Sequence, residues 1–223
     1  MFRTSIDSLL QTTQGLPVEI IVVDNGGDFE ITQWLDAIVH NGDIQCVIKN
    51  ANNMHFGFGR NQGIAMAHGS YLCIADNDIF YKAGWLEACL DVLEEYPLRK
   101  FWATPLDYPT ELNGKRTVRY DAGEVTVGVE EYKLSQRAGS NCFVIRRDLF
   151  EEVGPFENHR IAGSVWNDHA VRKGFVGAVT PEQMVYDLGL RKGYNHKMPL
   201  PVKRTLRNGE QIYFNEDEYV RPS

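Results

Sequence analysis

VEIIVVDNGG, running from Val18 to Gly27, decides the fold. Val18, Ile20, Ile21, Val22 and Val23 make a run that is apolar on both faces, and it closes on Asp24-Asn25-Gly26-Gly27. Such a run suits a strand buried from both sides, and its Asp/Gly ending marks the loop at the strand's carboxyl end. Upstream, Thr4 to Leu10 has amphipathic helical spacing. Downstream, Phe29, Ile31, Leu35, Ile38 and Val39 predict a helix, Ile44 to Ile48 a second strand, and Gly59 to His68 a helix stopped at Gly69. SYLCIADND, Ser70 to Asp78, predicts a third strand that again ends in acidic residues. Trp85, Cys89, Val92 and Leu93 then put an apolar stripe on a helix from Ala83 to Glu95, stopped by Pro97. This alternation predicts an α/β fold with a mostly parallel central sheet flanked by helices.

After Pro97 the texture changes. Lys100 to Thr104, Arg116 to Tyr120, Glu124 to Val129 and Asn141 to Arg146 predict shorter strands, and Arg147 to Val153 a helix. These segments predict a smaller mixed sheet in the C-terminal half. No compositional break marks a linker, so residues 1–190 are expected to form one domain, with lobes at 1–98 and 99–190. Residues 191–223 are a basic arm and an acidic tail: Arg191 to Gly209 carries six cations and no acid, in a chain of net charge -7. The arm is either a solvated tail or a mobile set of cations for phosphate groups.

Composition excludes several classes. At 223 residues, 43% hydrophobic and 24% charged, the chain has ordinary globular usage. It holds no run of eighteen apolar residues that would span a bilayer, and MFRTSIDSLLQTTQG has no signal-like apolar core. Cys46, Cys73, Cys89 and Cys142 lie far apart without a CxxC pair, which points to reduced thiols and a cytoplasmic setting. The acidic balance disfavours nucleic acid as a partner.

In open α/β sheets ligands bind outside the carboxyl ends of the strands, where Asp24, Asp76 and Asp78 fall. With 14 Asp in the chain, chance supplies about one D-x-D triplet, so the bare pattern carries nothing and its position everything. Two carboxylates on such a loop can share a hard cation, Mg²⁺ or Mn²⁺; the alternative is a turn in which Asp76 or Asp78 caps the next helix. The stretch Asn52-Asn53-Met54-His55-Phe56-Gly57-Phe58-Gly59-Arg60-Asn61-Gln62-Gly63 offers close backbone approach and donors for a nucleotide, with Arg60 free to pair instead with a carboxylate at the sheet edge. Its glycine spacing is not the dinucleotide fingerprint, so no nicotinamide cofactor is expected.

VEIIVVDNGG, the stretch ending GFGRNQGIAMAHGSYLCIADND, and GSNCFVIRRDLFEEVGPFEN resemble, in order and spacing, the inverting GT-A-fold glycosyltransferases of family 2. The resemblance covers Met1 to Gly189. It implies a transfer from a nucleotide-diphospho-sugar donor to an acceptor hydroxyl on a glycan or a lipid-linked group, with Mn²⁺ or Mg²⁺. It implies that Asp24, Asn53, Arg60 and Asp76 face the donor nucleotide and that Asp78, with Asp76, holds the cation. The further metal ligand, a late His in relatives, falls to Asp187, with His196 as its rival. Asp168 of Trp166-Asn167-Asp168 matches the general base, although Asn167 stands where the family often has Glu; an N-cap is the competing reading of Asp168. Trp166 is read as an acceptor-stacking ring, with a core tryptophan as the alternative.

The family's first strand is expected to be missing, since MFRTSIDSLL resembles the helix that follows it. That would leave an unpaired position beside the Val18–Val23 strand. Two other functions compete: a sugar-phosphate nucleotidyltransferase, whose Gly-rich basic loop is not found near the N-terminus, and a non-catalytic glycan- or partner-binding module. The expected location is cytoplasmic, with peripheral membrane contact through the basic arm.

Overall fold

The computed structural model describes residues 2–105, 111–112, 115–116, 122–136, 139, 141–158, 162–188, 202–205 and 211–214. The first half runs α1 (Phe2–Thr12), β1 (Ile21–Asp24), α2 (Phe29–His40), β2 (Cys46–Lys49), α3 (Phe56–Met66), β3 (Tyr71–Ala75), β4 (Ile79–Tyr81) and α4 (Trp85–Glu95). The second half adds β5 (Phe101–Thr104), β6 (Glu111–Leu112), β7 (Lys115–Arg116), β8 (Glu124–Val127), β9 (Glu130–Ser135), β10 (Cys142–Arg146), α5 (Arg147–Val153), α6 (Ala162–Arg172), β11 (Val176–Val179) and β12 (Val185–Asp187). A final hairpin pairs β13 (Val202–Thr205) with β14 (Gln211–Phe214).

The α/β alternation of the first half is as expected, but the sheet is less parallel than the sequence suggested. β1 and β2 pair in parallel, Ile21 opposite Cys46. The larger sheet has the order β3-β10-β5-β11-β9-β8, and within it only β5 and β11 are parallel neighbours. β10 inserts in reverse between β3 and β5. Its residues Cys142, Phe143, Val144 and Ile145 are all fully buried, which is why NCFVIR reads as an uninterrupted apolar run. Among the described residues β1 has β2 as its one strand neighbour, and β3 stands at the edge of the larger sheet. Helices cross from one sheet to the other. Ile6 of α1 packs with Val22 and Leu35, while Leu9 of the same helix packs on the cluster around Ile79 and Trp85.

Local signals explain the element ends. Asp28 caps α2 by accepting from the Ile31 N–H at 2.9 Å. α4 buries Trp85, Leu86, Cys89, Val92 and Leu93, the stripe foreseen from spacing, and Trp85 Nε1 donates to Thr12 Oγ1 at 3.1 Å. A second core gathers Leu72 and Ile74 of β3 with Trp102, Phe143, Phe150, Phe156 and Trp166. The four cysteines are free thiols. No helix among the described residues is long and apolar enough to cross a membrane. Most of the basic arm, and His196 within it, lies outside the described residues.

Candidate functional site

At the carboxyl end of β1 the chain must turn within four residues to start α2. Asp24, buried, closes that turn: one carboxylate oxygen accepts from the Gly27 N–H at 2.7 Å and the other from Thr32 Oγ1 at 2.8 Å. Gly26 has φ 85°, and a Cβ there would sit 3.0 Å from the backbone of Asn52 and Asn53, so the β2–α3 loop lies directly on this turn. Asn25 ties the two loops. It accepts from Asn50 Nδ2 at 3.1 Å and from the Met54 N–H at 2.9 Å, and it donates to Asn53 Oδ1 and the His55 carbonyl. Asn50 also exchanges a pair of amide bonds with Gln62 of α3, at 2.7 and 3.1 Å. Asn53 is therefore exposed at the edge but fixed. Asn25, Asn50 and Gln62 were not singled out in the sequence reading; two loop amides that flank one strand end, with a third on the helix that follows, were the available signal.

The pull of these bonds shows at His55, the one described residue other than glycine with a positive φ (68°, ψ 165°). That region is almost confined to glycine and costs about 1–3 kcal/mol for other residues.

Arg60 takes the alternative that the sequence left open. It pairs with Asp76: Nη2 to Oδ1 is 2.6 Å, with 9% and 14% of the two side chains exposed. Burial draws the guanidinium below its usual pKa, and the Asp76 charge opposes that fall. The Phe56 ring, one turn back on α3, lies 3.7 Å from the guanidinium and the Phe156 ring 5.2 Å. Asp76 leaves β3 with its N–H bonded to the Asn141 carbonyl at 2.7 Å. Asp78 follows in the β3–β4 turn, so neither aspartate caps a helix, and the capping alternative falls.

β12 pairs with β4 in a register that sets Asp187 opposite Ile79, and the Leu188 N–H donates to the Asp78 carbonyl at 2.6 Å. The backbone at 187–188 thus meets the D-x-D turn. No group of three His, Cys, Asp or Glu side chains arranged for a metal occurs among the described residues. The donor set at the turn is oxygen only and limited to one or two carboxylates. That fits Mg²⁺ or Mn²⁺ held jointly with substrate phosphates, the usual arrangement for a reluctantly dehydrated cation.

Two expectations need correction. Asp168 is not at a helix start: α6 begins at Ala162, and Asp168 lies exposed in its interior, so it caps nothing. Trp166 does not stack on an acceptor. It is 1% exposed, its Nε1 donates to the Gly154 carbonyl at 2.9 Å, and Phe143, Phe150 and Phe156 lie 5.1–5.6 Å around it in the core. Spacing carried that answer, since Ala162, Trp166 and Ala170 recur at i, i+4 and i+8 and all are buried.

The structure thus pairs Arg60 of α3 with Asp76 beside Asp78 at the end of β3, places Asp24 at the end of β1 and Asn53 on the loop after β2, and puts Asp168 on α6. Residues 1–154 match glycosyl transferase family 2. The chain belongs to that family. It is 27% identical over 171 residues to the glycosyltransferase AglE of Haloferax volcanii, a match that covers 74% of this chain and 55% of the relative. The chain thus spans about half the length of that curated relative. Among solved structures it is similar to GalNAc-T7 crystallised with UDP, GalNAc and Mn²⁺ (TM-score 0.62, 15% identity, 87% of this chain and 42% of that one). It is also similar to S. aureus TarS residues 1–349 in complex with UDP-GlcNAc (TM-score 0.60, 16% identity, 86% and 55%). At that identity these structures establish the fold, which is GT-A.

Proposed function

We propose that this family 2 chain moves a sugar from a nucleotide-diphospho-sugar to an acceptor hydroxyl, with a divalent metal and with inversion at the anomeric carbon. The observation that carries the reading is the Arg60–Asp76 pair beside Asp78 at the carboxyl end of β3, with Asp24 at the carboxyl end of β1, since ligands of open α/β sheets bind at such strand ends. That a TarS structure holds UDP-GlcNAc and a GalNAc-T7 structure holds UDP and Mn²⁺ supports a donor of the same class here.

Asp24 and Asn53 border the base and ribose. Asp76, its charge balanced by Arg60, lies toward the ribose or sugar, and Asp78 holds the cation, with Asp187 as the further oxygen ligand. When bound, the metal neutralises charge on the departing diphosphate. Asp168 accepts the proton of the acceptor hydroxyl. As that oxygen bonds to the anomeric carbon from the face opposite the diphosphate, the carbon–oxygen bond to the diphosphate breaks. A single displacement of this kind inverts configuration. Residues 1–98 supply the donor lobe and 99–190 the acceptor lobe, and the cations between Arg191 and Arg207 meet a phosphate-bearing or glycan acceptor.

The test is a thermal-shift titration with UDP, GDP, CDP and TDP, each with and without Mn²⁺, on wild type and Asp78→Ala. One nucleotide at about a hundred times its Kd should raise Tm by about 5–10 °C, only with metal and not in the variant. No shift with any nucleotide would leave the non-catalytic binding module as the better reading.

A further inference from the structure

We infer that Asn61 is a positioning residue of the donor site: it clamps the 154–157 segment onto α3, and through the Phe156 ring it holds Arg60 on Asp76. The inference rests on the donor-site reading above and deepens it.

Arg60 sits between two rings of different origin. Phe56 belongs to the same helix and moves with it, so it cannot fix α3 against the sheet. Phe156 comes from the loop after α5, and its ring is buried against Phe150 and Trp166. Asn61 uses its whole amide on that residue's backbone: Nδ2 donates to the Phe156 carbonyl at 2.8 Å, and Oδ1 accepts from the Phe156 N–H at 3.0 Å. The contact is close because Gly57 has no side chain; a Cβ there would lie 2.0 Å from the Glu157 carbonyl oxygen and 3.3 Å from Ala162 at the start of α6. The Asn61 amide thus registers α3 against the 154–157 segment, and Gly57 lets the same helix approach the beginning of α6.

The consequence is electrostatic. While Arg60 is held in place, one carboxylate oxygen of Asp76 is committed to it. If the segment drifts, both backbone groups of Phe156 lose their partners and Arg60 loses one of its rings. The guanidinium is then free to leave Asp76, and that carboxylate, two residues from Asp78, loses the Arg60 counter-charge. Cation affinity rises while the diphosphate meets an extra negative charge.

The experiment measures Kd for the nucleoside diphosphate that wild type binds best among UDP, GDP, CDP and TDP, across a Mn²⁺ series, in wild type, Asn61→Ala, Asn61→Asp and Val153→Ala. Asn61→Asp keeps the acceptor for the Phe156 N–H and loses the donor, so it carries the test if the alanine variant does not fold. Val153→Ala takes methyls from the same core without touching Asn61 or Arg60, and it sets the effect of lost stability alone. The expected result is a nucleotide Kd about tenfold weaker in the Asn61 variants at saturating Mn²⁺. The Mn²⁺ midpoint should move to lower concentration, and Val153→Ala should show neither change. Binding within twofold of wild type, an unmoved Mn²⁺ midpoint, or an equal loss in Val153→Ala would overturn the inference. Absence of nucleotide binding by wild type would instead bring down the donor-site reading, and this inference with it.

Discussion

The strand-end edge and the aromatic core behind it lie within one side chain of each other and are built on opposite rules. At the edge, Asn25, Asn50, Asn53 and Gln62 bond amide to amide, Arg60 pairs with Asp76, and Asp24 closes its turn on Gly27 and Thr32. In the core, Trp102, Phe143, Phe150, Phe156 and Trp166 meet ring to ring with few polar atoms to satisfy. Phe156 is shared, facing Trp166 on one side and Arg60 on the other. The polar region therefore borrows its rigidity from the apolar one. Substitutions in the core should act on stability, and those at the edge on ligand binding.

The largest effect tests the core. Trp166→Ala should cost about 3–5 kcal/mol, because it removes a buried ring and strands the Gly154 carbonyl. Urea denaturation measures this, and the folded fraction should still bind nucleotide. A variant that keeps its stability and loses acceptor would restore the acceptor-stacking role and end the contrast. Asp78→Ala should do the reverse. Transfer should fall by about two orders of magnitude with Tm in the absence of ligand nearly unchanged, since the backbone bond at Asp78 does not depend on the side chain. Paired rate and melting measurements separate the two regions.

The same contrast marks what the sequence could convey. Strand ends at Asp24 and Asp76 were legible because apolar runs precede them, and α5 begins and ends where its spacing says. β9 and β11 escaped notice. Glu130 to Ser135 is mostly charged or polar at its start, and Val176 to Val179 is short and half made of small residues. The reversed insertion of β10 was not legible at all, for it depends on pairing with Tyr71–Ala75 and Trp102–Ala103 far away in the chain. Of the site, the types of the polar residues were readable. Whether Arg60 would meet a nucleotide or a carboxylate was not, nor that Asn61 would reach Phe156, because both contacts are set by tertiary packing.

His55 sharpens the comparison from the stability side. If the amide network holds it in a strained backbone, His55→Gly should stabilise the protein by about 1–2 kcal/mol, a rise in Tm of about 2–8 °C. An unchanged or lower Tm would mean that the edge stores no strain.

The smallest effect lies at the opposite end of the strands. Glu19, just before β1, accepts from the backbone N–H groups of His68 and of Gly69 (2.8 Å), and its Oε2 lies 3.2 Å from His68 Nδ1. The backbone bond from His68 holds its carboxyl below the ordinary glutamate value; burial opposes that effect, and the other bonds add to it. A group whose folded pKa is depressed contributes stability that is fully present above its unfolded pKa, about 4.3, and is lost as pH falls through the folded value. Unfolding followed from pH 7 to 3 should therefore show an acid-side decline that is shallower in Glu19→Gln. Because the carboxylate is largely solvated, the difference should be a fraction of that at Trp166. Matching acid limbs in the two proteins would mean that the link between the β1 and β3 starts is not electrostatic, leaving the packing of helices α1 and α3 to hold the two sheets together.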